Sequence, residues 1–281
     1  MKSKDSLSQK AIRREIRSDI IPEIILFDSI DSTNAEAKRL ASSGYRSPTL
    51  IIADSQSAGR GRMGREFFSP AGSGIYMSLL YKSAIPVCDA VTVTTAAAVA
   101  VALSLEEATG ESACIKWVND IYMNGGKVSG ILAESVVSDG ECHTVVGIGV
   151  NVTTEVFPEQ IKSVAASVGK MKLSRSALAA RIYDGLARYI FNNEPYIEQY
   201  RARFMLQGEE VLAIYKERTV CGRVLGVDEG GGLILLPNGE KEPVTIISGE
   251  VSIRVAKEYL GGGKVPPPFY NISRRHGETN Q

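Results

Sequence analysis

The sequence predicts an α+β fold, with one large mixed domain followed by a small β-barrel. Two observations support this prediction. Up to about residue 206, short apolar runs with the length of strands alternate with longer stretches that have helical spacing. After Gly208 the chain changes to short β-rich runs separated by Gly, Asp and Asn-Gly turns, which is typical of a small β-barrel.

Composition and charge restrict the classes of protein to which the chain can belong. Its 281 residues are 44% hydrophobic, which is enough to bury a substantial core in one or two domains. Lysine plus arginine and aspartate plus glutamate both number 32, so the net charge gives no support for a nucleic-acid-binding protein. No apolar stretch approaches the roughly 18 residues of a membrane span, and the polar N-terminus does not resemble a signal peptide.

The cysteines and histidines predict a cytoplasmic protein without a metal site of its own. Four cysteines lie too far apart for a Cys-x-x-Cys pair, and two histidines are too few for a multi-histidine site. Free thiols are typical of a reducing compartment. We therefore expect no metal ion held by protein ligands alone.

The first part of the chain predicts an extension, a strand and a helix. Residues 1–19 are polar and mixed in charge and could form one short helix, and the apolar residues 24–27 predict a strand. Thr33 and Glu36 fit a capping box at the start of a helix that stops at Gly44. Residues 32–34 (Ser-Thr-Asn) therefore start a helix, and they can also face a polar ligand, because a helix N-terminus is a binding surface.

The most unusual stretch, residues 59–65, is an arginine-glycine loop that follows an apolar strand at 50–53. Its members alternate as Gly59, Arg60, Gly61, Arg62, Met63, Gly64 and Arg65. Glycine allows close approach of the backbone to a ligand, and each guanidinium matches carboxylate or phosphate oxygens. Three interpretations remain open: a flexible, solvated surface loop, a non-specific contact with nucleic acid, or a loop that closes over an anion.

Strands and turns after this loop carry further polar residues. Residues 75–81 predict a strand and residues 90–109 a buried helix. Lys116 lies on a strand that ends at Asn119-Asp120, and Asn124-Gly125 predicts a hairpin from which Lys127 leaves. Both lysines have ordinary interpretations, Lys116 as an edge-strand lysine and Lys127 as a solvated residue beside a turn.

A strand near residue 148 carries a glycine stripe. Gly147 and Gly149 are two residues apart and leave one face of the strand bare, so another backbone or a ligand packs there. Asn151 ends this stripe with an amide that can contact a ligand. The helical spacing of residues 174–192, and of a second helix that starts at residues 193–195, predicts core-packing helices.

These motifs occur in an order that resembles the biotin protein ligases, from about residue 24 to 255. The matching residues are Ser32-Thr33-Asn34, Gly59 to Arg65, Lys116-Trp117-Val118-Asn119-Asp120, Lys127 to Glu134, Gly147-x-Gly149-x-Asn151 and Gly249-Glu250-Val251-Ser252. Members often have proline where this chain has Val118. Many bacterial members carry an N-terminal DNA-binding domain, and its absence here implies a ligase that does not bind an operator.

The resemblance implies a role for each motif residue. Catalytic roles are implied for Lys127, Arg60, Arg62 and Asp120, the last for orienting Lys127 or a magnesium-bound water. The implied biotin-binding residues are Ser32, Thr33, Asn34, Gln56, Gly59, Arg60, Arg62, Lys127, Gly130, Leu132, Gly147 and Gly149. The implied ATP-binding residues are Arg62, Arg65, Lys116, Asn119, Lys127 and Asn151.

We therefore expect a mixed-sheet catalytic domain of the biotin/lipoate ligase type at residues 24–206 and an SH3-like β-barrel at 207–256. An extension at 1–23 and a flexible tail at 257–281 flank them. The implied reaction uses biotin, ATP and Mg²⁺ and modifies the biotin carboxyl carrier protein of a carboxylase, without DNA or a membrane. A homodimer is plausible on family grounds.

Two alternatives remain at this stage. A lipoate ligase or octanoyltransferase shares the fold but would need a pocket for a linear acyl chain. A nucleic-acid-binding protein would use the arginine-glycine loop and the barrel, and it predicts a basic face. The predicted barrel instead carries acidic residues such as Glu209, Glu210, Asp228 and Glu240.

Overall fold

A seven-stranded mixed sheet, counted over the described residues, organises the first of two units, Met1–Arg203 and Phe204–Gln281. The structure is a computed structural model that describes residues 5–83, 90–215, 218–247, 250–252 and 270–271. The strands are β1 (Glu23–Phe27), β2 (Thr49–Ala53), β3 (Gly74–Ser83), β4 (Cys114–Lys116), β5 (Asp120–Met123), β6 (Gly126–Ser138) and β7 (Glu141–Asn151). They lie in the order β1-β2-β3-β7-β6-β5-β4, and only the β1–β2 pair within this sheet is parallel.

Helices pack against this sheet. They are α1 (Gln9–Glu15), α2 (Thr33–Ala41), α3 (Ala90–Thr109), α4 (Arg175–Leu186) and α5 (Ile197–Arg203), and a π-helical turn at Ala187–Phe191 extends α4. By length and composition α3 could cross a membrane, but 72% of its apolar window is buried inside the fold, as expected of a core helix. A Cβ atom on Gly185 of α4 would lie 2.8 Å from Ala100 Cβ, so glycine lets α3 and α4 pack closely.

The N-terminal extension takes part in the packing of the first unit. Ile12 of α1 is fully buried, and Ser8 N donates to Ser176 Oγ at the start of α4. Arg175, 2% exposed, donates to Asp5 O and to Asp54 Oδ1 and so ties the extension to the end of β2. A buried guanidinium needs this full set of acceptors, because an unpaired buried charge is costly.

The second unit is a small antiparallel sheet. Its strands are β8 (Glu210–Tyr215), β9 (Arg218–Val227), β10 (Leu233–Pro237), β11 (Val244–Ile246), β12 (Glu250–Ser252) and β13 (Tyr270–Asn271). They follow the order β11-β10-β9-β8-β12, with β13 paired to β9. The predicted α+β fold is thus confirmed, while Gly249 and most of the predicted tail at 257–281 lie outside the described residues.

Two local motifs predicted from the sequence, the capping box before α2 and the hairpin before Lys127, can be compared with the structure. The predicted capping box at Thr33 is wrong, because Ser32 is the N-cap of α2 and its Oγ accepts from Ala35 N at 3.4 Å. The Thr33 side chain is therefore not needed as a cap and points elsewhere. The hairpin predicted before Lys127 is confirmed, with Asn124 and Gly125 both at positive φ (53° and 77°).

Candidate active site

Glycines on neighbouring strands leave a bare patch on one face of the large sheet. Residues directly opposite each other on paired strands share a face, as do residues two apart on one strand. Gly147 lies opposite Ser78 and Leu132, and Gly149 lies opposite Tyr76 and Gly130. The stripe predicted on β7 is therefore widened by Gly130 into a glycine patch, which we define as Gly130, Gly147 and Gly149.

Side chains from three separate segments meet over the glycine patch. A Cβ atom on Gly147 would lie 2.0 Å from Asn34 Oδ1, and one on Gly149 would lie 2.4 Å from Phe67 Cε1. One on Gly130 would lie 3.3 Å from Lys127 Cε. Phe67 was missed by the sequence analysis, although an aromatic residue placed directly after the arginine-glycine loop was a usable signal.

A buried polar network lies at the N-terminus of α2. Thr33 N donates to Gln56 Oε1 at 2.8 Å, and Gln56 Nε2 donates to Ser69 Oγ at 2.9 Å. Ser78 Oγ lies 2.8 Å from Thr33 Oγ1 and 2.6 Å from Asn34 Oδ1. Three predicted biotin-binding residues, Thr33, Asn34 and Gln56, thus share one network, and the N-cap Ser32 adjoins it.

Lys127 is held at the other end of the patch. Its Nζ lies 2.6 Å from Asp120 Oδ1, and both side chains are about three-quarters buried, at 29% and 23% exposure. The Lys127 backbone pairs with residues 164–166, donating to Val164 O at 2.8 Å and accepting from Ala166 N at 2.9 Å. The predicted pairing of Asp120 with Lys127 is present, and the lysine is more than a solvated residue beside a turn.

The arginine-glycine loop folds back on itself beside the patch. Gly61 N donates to Arg65 O and Phe67 N donates to Gly59 O, while a single 3-10 turn spans Arg62–Gly64. A Cβ atom on Gly59 would lie 2.5 Å from Phe67 O, so a larger residue does not fit there. The loop is anchored by Arg62 Nη1, which donates to Asn119 Oδ1 at 3.2 Å.

The remaining predicted ATP-binding residues, and Arg60 of the predicted biotin-binding set, lie in different parts of the site. Lys116 on β4 lies opposite Asp120 on β5. Asn151 is 6% exposed and donates to Ala166 O at 3.3 Å, so it holds the same segment as the Lys127 backbone. Arg60 and Arg65 have exposed side chains on the loop. The structure therefore gathers Lys116, Asn119, Asp120 and Lys127 and leaves these two arginines at the rim.

Comparison with known proteins identifies the family. Residues 26–151 match the Biotin/lipoate A/B protein ligase family, and residues 207–254 match the Biotin protein ligase C terminal domain. The bifunctional ligase/repressor BirA of Bacillus subtilis is 33% identical over 250 residues, which cover 85% of this chain and 77% of that protein. This chain belongs to the biotin protein ligases.

Two other relatives of this ligase support the same family assignment. The biotin--[acetyl-CoA-carboxylase] ligase of Mycobacterium tuberculosis is 29% identical over 270 residues, covering 89% of this chain and 98% of that protein. The biotin protein ligase of Aquifex aeolicus, solved in complex with biotin and ATP, has a TM-score of 0.68 and 29% identity, covering 82% of this chain and 97% of that one. The expected ligase-type domain and SH3-like C-terminal domain are thereby confirmed.

The matched stretch of the ligase contains the whole candidate site. Residues 26–151 include the α2 N-terminus, the arginine-glycine loop, Lys127 and the glycine patch. Among the described residues, no group of three His, Cys, Asp or Glu side chains is placed to hold a metal ion. Charge at this site comes mainly from the side chains of Lys127, Lys116, Arg62 and Asp120.

Proposed function

We propose that this ligase forms biotinyl-5′-AMP and pyrophosphate from biotin and ATP and then transfers biotin to a lysine of a biotin carboxyl carrier protein. Membership of the family supports this function, as does the A. aeolicus relative that binds biotin and ATP. The observation that carries it is the glycine patch, bounded by the buried polar network on one side and by Lys127 on the other. In this structure the Phe67 ring lies on the patch, and its displacement would leave an apolar floor between an uncharged polar end and a cation, which fits a bicyclic urea that carries a carboxylate.

In the first half-reaction a carboxylate attacks the α-phosphorus of ATP and pyrophosphate leaves. Two anions must approach each other, so fixed positive charge and correct positioning lower the barrier. Lys127 would contact the biotin carboxylate and the α-phosphate oxygens, and Asp120, whose Oδ1 lies 2.6 Å from Lys127 Nζ, would orient the ammonium group. Arg62, Arg65 and Lys116 would bind the remaining phosphates, and Asn119 and Asn151 would contact the nucleotide.

Mg²⁺ would bind at this site together with the phosphates of ATP. Mg²⁺ is commonly held by one or two carboxylates together with substrate phosphates, and Asp120 supplies a carboxylate beside the proposed phosphate position. When bound, Mg²⁺ supplies charge neutralisation on the phosphate oxygens.

In the second half-reaction the amine of a carrier lysine attacks the biotinyl carbonyl carbon and AMP leaves. A mixed anhydride hydrolyses readily, so the intermediate must be shielded from water. We assign this shielding to Gly59, Arg60 and Arg62 of the arginine-glycine loop. Ser32, Thr33, Asn34 and Gln56 would bind the ureido ring, while Leu132 and the glycine patch would form the floor. The carrier belongs to a biotin-dependent carboxylase, and we propose that both proteins are cytoplasmic.

Pyrophosphate release tests the proposal directly. The protein is incubated with ATP and Mg²⁺ together with biotin, with lipoate, or with neither acid. We expect release only with biotin, followed by labelling of a carrier domain. Release with lipoate instead would keep the fold and overturn the substrate, and no release with either acid would overturn the ligase function.

A further inference from the structure

The turn between β4 and β5 is buried and leads directly into the candidate site. It consists of residues 117–119, and Trp117 and Val118 are only 4% and 3% exposed. Turns usually lie on the surface, because buried backbone groups need hydrogen-bond partners. The partners of this turn therefore determine where Asn119 and Asp120 are held.

Hydrogen bonds hold the turn from two sides. From β6, Ile131 N donates to Asn119 O at 3.0 Å, and Asn119 Nδ2 donates to Ile131 O at 3.0 Å. From α5, the Tyr200 hydroxyl donates to Val118 O at 3.3 Å. The Val118 carbonyl and the Asn119 N–H belong to one planar peptide unit. A donor to this carbonyl therefore fixes the direction in which the chain continues toward Asp120.

The helix that carries Tyr200 is anchored on both sides of it. Tyr200 is fully buried. At the end of α5, Arg203 Nε and Nη2 donate to the two carboxylate oxygens of Glu106 on α3, at 3.0 and 2.6 Å. Just before α5, the Tyr196 hydroxyl donates to Thr92 O, also on α3, at 2.8 Å. The hydroxyl of Tyr200 thus reaches the turn from a fixed helix.

The surroundings of Tyr200 keep its hydroxyl a donor. Burial raises the pKa of Tyr200 well above its usual value, and the negative charge of Asp120 raises it further, while Arg62 has the opposite effect. The hydroxyl therefore keeps its proton at neutral pH, and the Val118 carbonyl keeps its partner.

The ion pair of Asp120 with Lys127 depends on this turn. Asp120 Oδ1 is buried, and among the residues that the structure describes it has no hydrogen-bond donor besides the ammonium group of Lys127, 2.6 Å away. Because this oxygen has no second donor to fix it, its position follows the backbone that carries Asp120.

We infer that Tyr200 is a positioning residue that holds the Asp120–Lys127 pair in place for the first half-reaction by donating to Val118 O. The inference rests on the proposed function, because it concerns the ion pair to which that function assigns the attack on ATP. A small displacement of a group that acts in the transition state lowers the rate. Tyr200 contributes to this rate without contacting biotin or ATP.

The variant Tyr200→Phe tests the inference, because it removes only the hydroxyl and keeps the buried ring. Biotin-dependent pyrophosphate release is measured with ATP and Mg²⁺. The value of kcat is expressed per biotin-binding site counted by calorimetry, so that unfolded protein does not contribute. We expect kcat to fall by about three- to tenfold, the value of one neutral hydrogen bond. KM for biotin should not change, because the ureido ring is proposed to bind at the opposite end of the glycine patch.

Tyr183 on α4 offers a matched control in the same unit. It is also fully buried, and its hydroxyl donates to a backbone carbonyl, Ile20 O, at 2.8 Å. Tyr183→Phe loses a bond of the same kind away from the β4–β5 turn and should keep the wild-type kcat.

A second background separates positioning from a general structural role. Asp120→Asn removes the charge that holds Lys127, so adding Tyr200→Phe to it should have little further effect on kcat, since residues that act as one unit are not additive. A general structural role would give the same fold loss in both backgrounds.

Three results would overturn the inference alone: a wild-type kcat in Tyr200→Phe, an equal loss in Tyr183→Phe, or the same fold loss when Tyr200→Phe is added to Asp120→Asn. Failure of the wild-type protein to release pyrophosphate with biotin would instead remove the proposed function, and this inference with it.

Discussion

The buried polar network at the start of α2 and the arginine-glycine loop lie on either side of Phe67, and they differ in how exposed their residues are. Ser32, Thr33 and Asn34 are 2%, 3% and 5% exposed, whereas Met63 of the loop is 73% exposed and has a positive φ of 56°. A neutral ring is recognised by donors and acceptors that are fixed in advance, since unpaired buried groups are costly. A reactive anion instead requires charged side chains on a loop that can close over it after binding.

Lys127 is proposed to contact both biotin and ATP, so removal of its side chain should have the largest effect on the reaction rate. We expect Lys127→Ala to lower biotin-dependent pyrophosphate release by about 10²–10³-fold, as for loss of one preorganised electrostatic group. The largely buried Asp120 carboxylate then loses its cation, so we expect some loss of thermal stability, but a much smaller effect than the loss of rate. Lys82→Ala, which breaks an exposed pair with Glu141, serves as the matched control. An unchanged rate in Lys127→Ala would remove this lysine from the mechanism.

Alanine substitutions at Gly147 and Gly149 of β7 test the buried polar network and the region around Phe67 separately. An added methyl group on Gly147 meets the Asn34 amide, and one on Gly149 meets the Phe67 ring. We expect Gly147→Ala to lower the free energy of unfolding by about 1–3 kcal/mol, because the buried network cannot yield without breaking bonds. Gly149→Ala should cost less stability but weaken biotin binding, since the displaced ring covers the proposed pocket. Calorimetry and urea unfolding of both variants measure the two quantities.

The opposite pattern would contradict this comparison. If Gly149→Ala loses stability while its biotin affinity is kept, Phe67 is a core residue and the pocket lies elsewhere. Equal loss of stability in both variants would show that the network and the Phe67 ring are equally rigid.

Most of the fold could be predicted from local patterns, but the contacts between distant segments could not. The glycine stripe on β7 was readable from spacing, whereas its extension by Gly130 depends on the register of β6. Thr33 was assigned to a capping box because Glu36 follows it at the required spacing, but Ser32 is the N-cap and the Glu36 carboxylate pairs with Arg39 instead. Glu134 lies 100 residues from Asn34 in the chain, so its bond to that amide had no local signal.

The loop should tolerate substitution better than the network. Arg62→Gly removes the bond to Asn119, and we expect the free energy of unfolding to stay within about 0.5 kcal/mol of wild type. Biotinyl-adenylate should escape more readily and label lysines of bystander proteins, which is measured by blotting a mixture with albumin. Arg46→Gly, an exposed arginine outside the loop, is the control. Labelling that remains confined to the carrier would show that the loop is not a lid.

The smallest effect is expected at the exposed rim of the network, where Asp31 precedes the N-cap. Two hydrogen bonds from Arg39, together with one from Ser32 N, lower the pKa of Asp31 from 3.8 to about 2. A carboxyl group with a lowered pKa in the folded state stabilises the fold above its unfolded pKa and loses this contribution as the pH falls. Both side chains are about half exposed, at 52% for Arg39 and 47% for Asp31, so a few tenths of a kcal/mol is expected.

Asp31→Asn should therefore be slightly less stable than wild type at pH 7, with the difference shrinking between pH 4 and pH 2. Urea unfolding at several pH values measures it. Asparagine can still accept from Ser32 N, so the cap and the buried network should be preserved and biotin affinity should not change. A pH-independent difference would exclude the ion pair as its source. A loss of biotin affinity would instead show that preorganisation of the network extends to its charged rim.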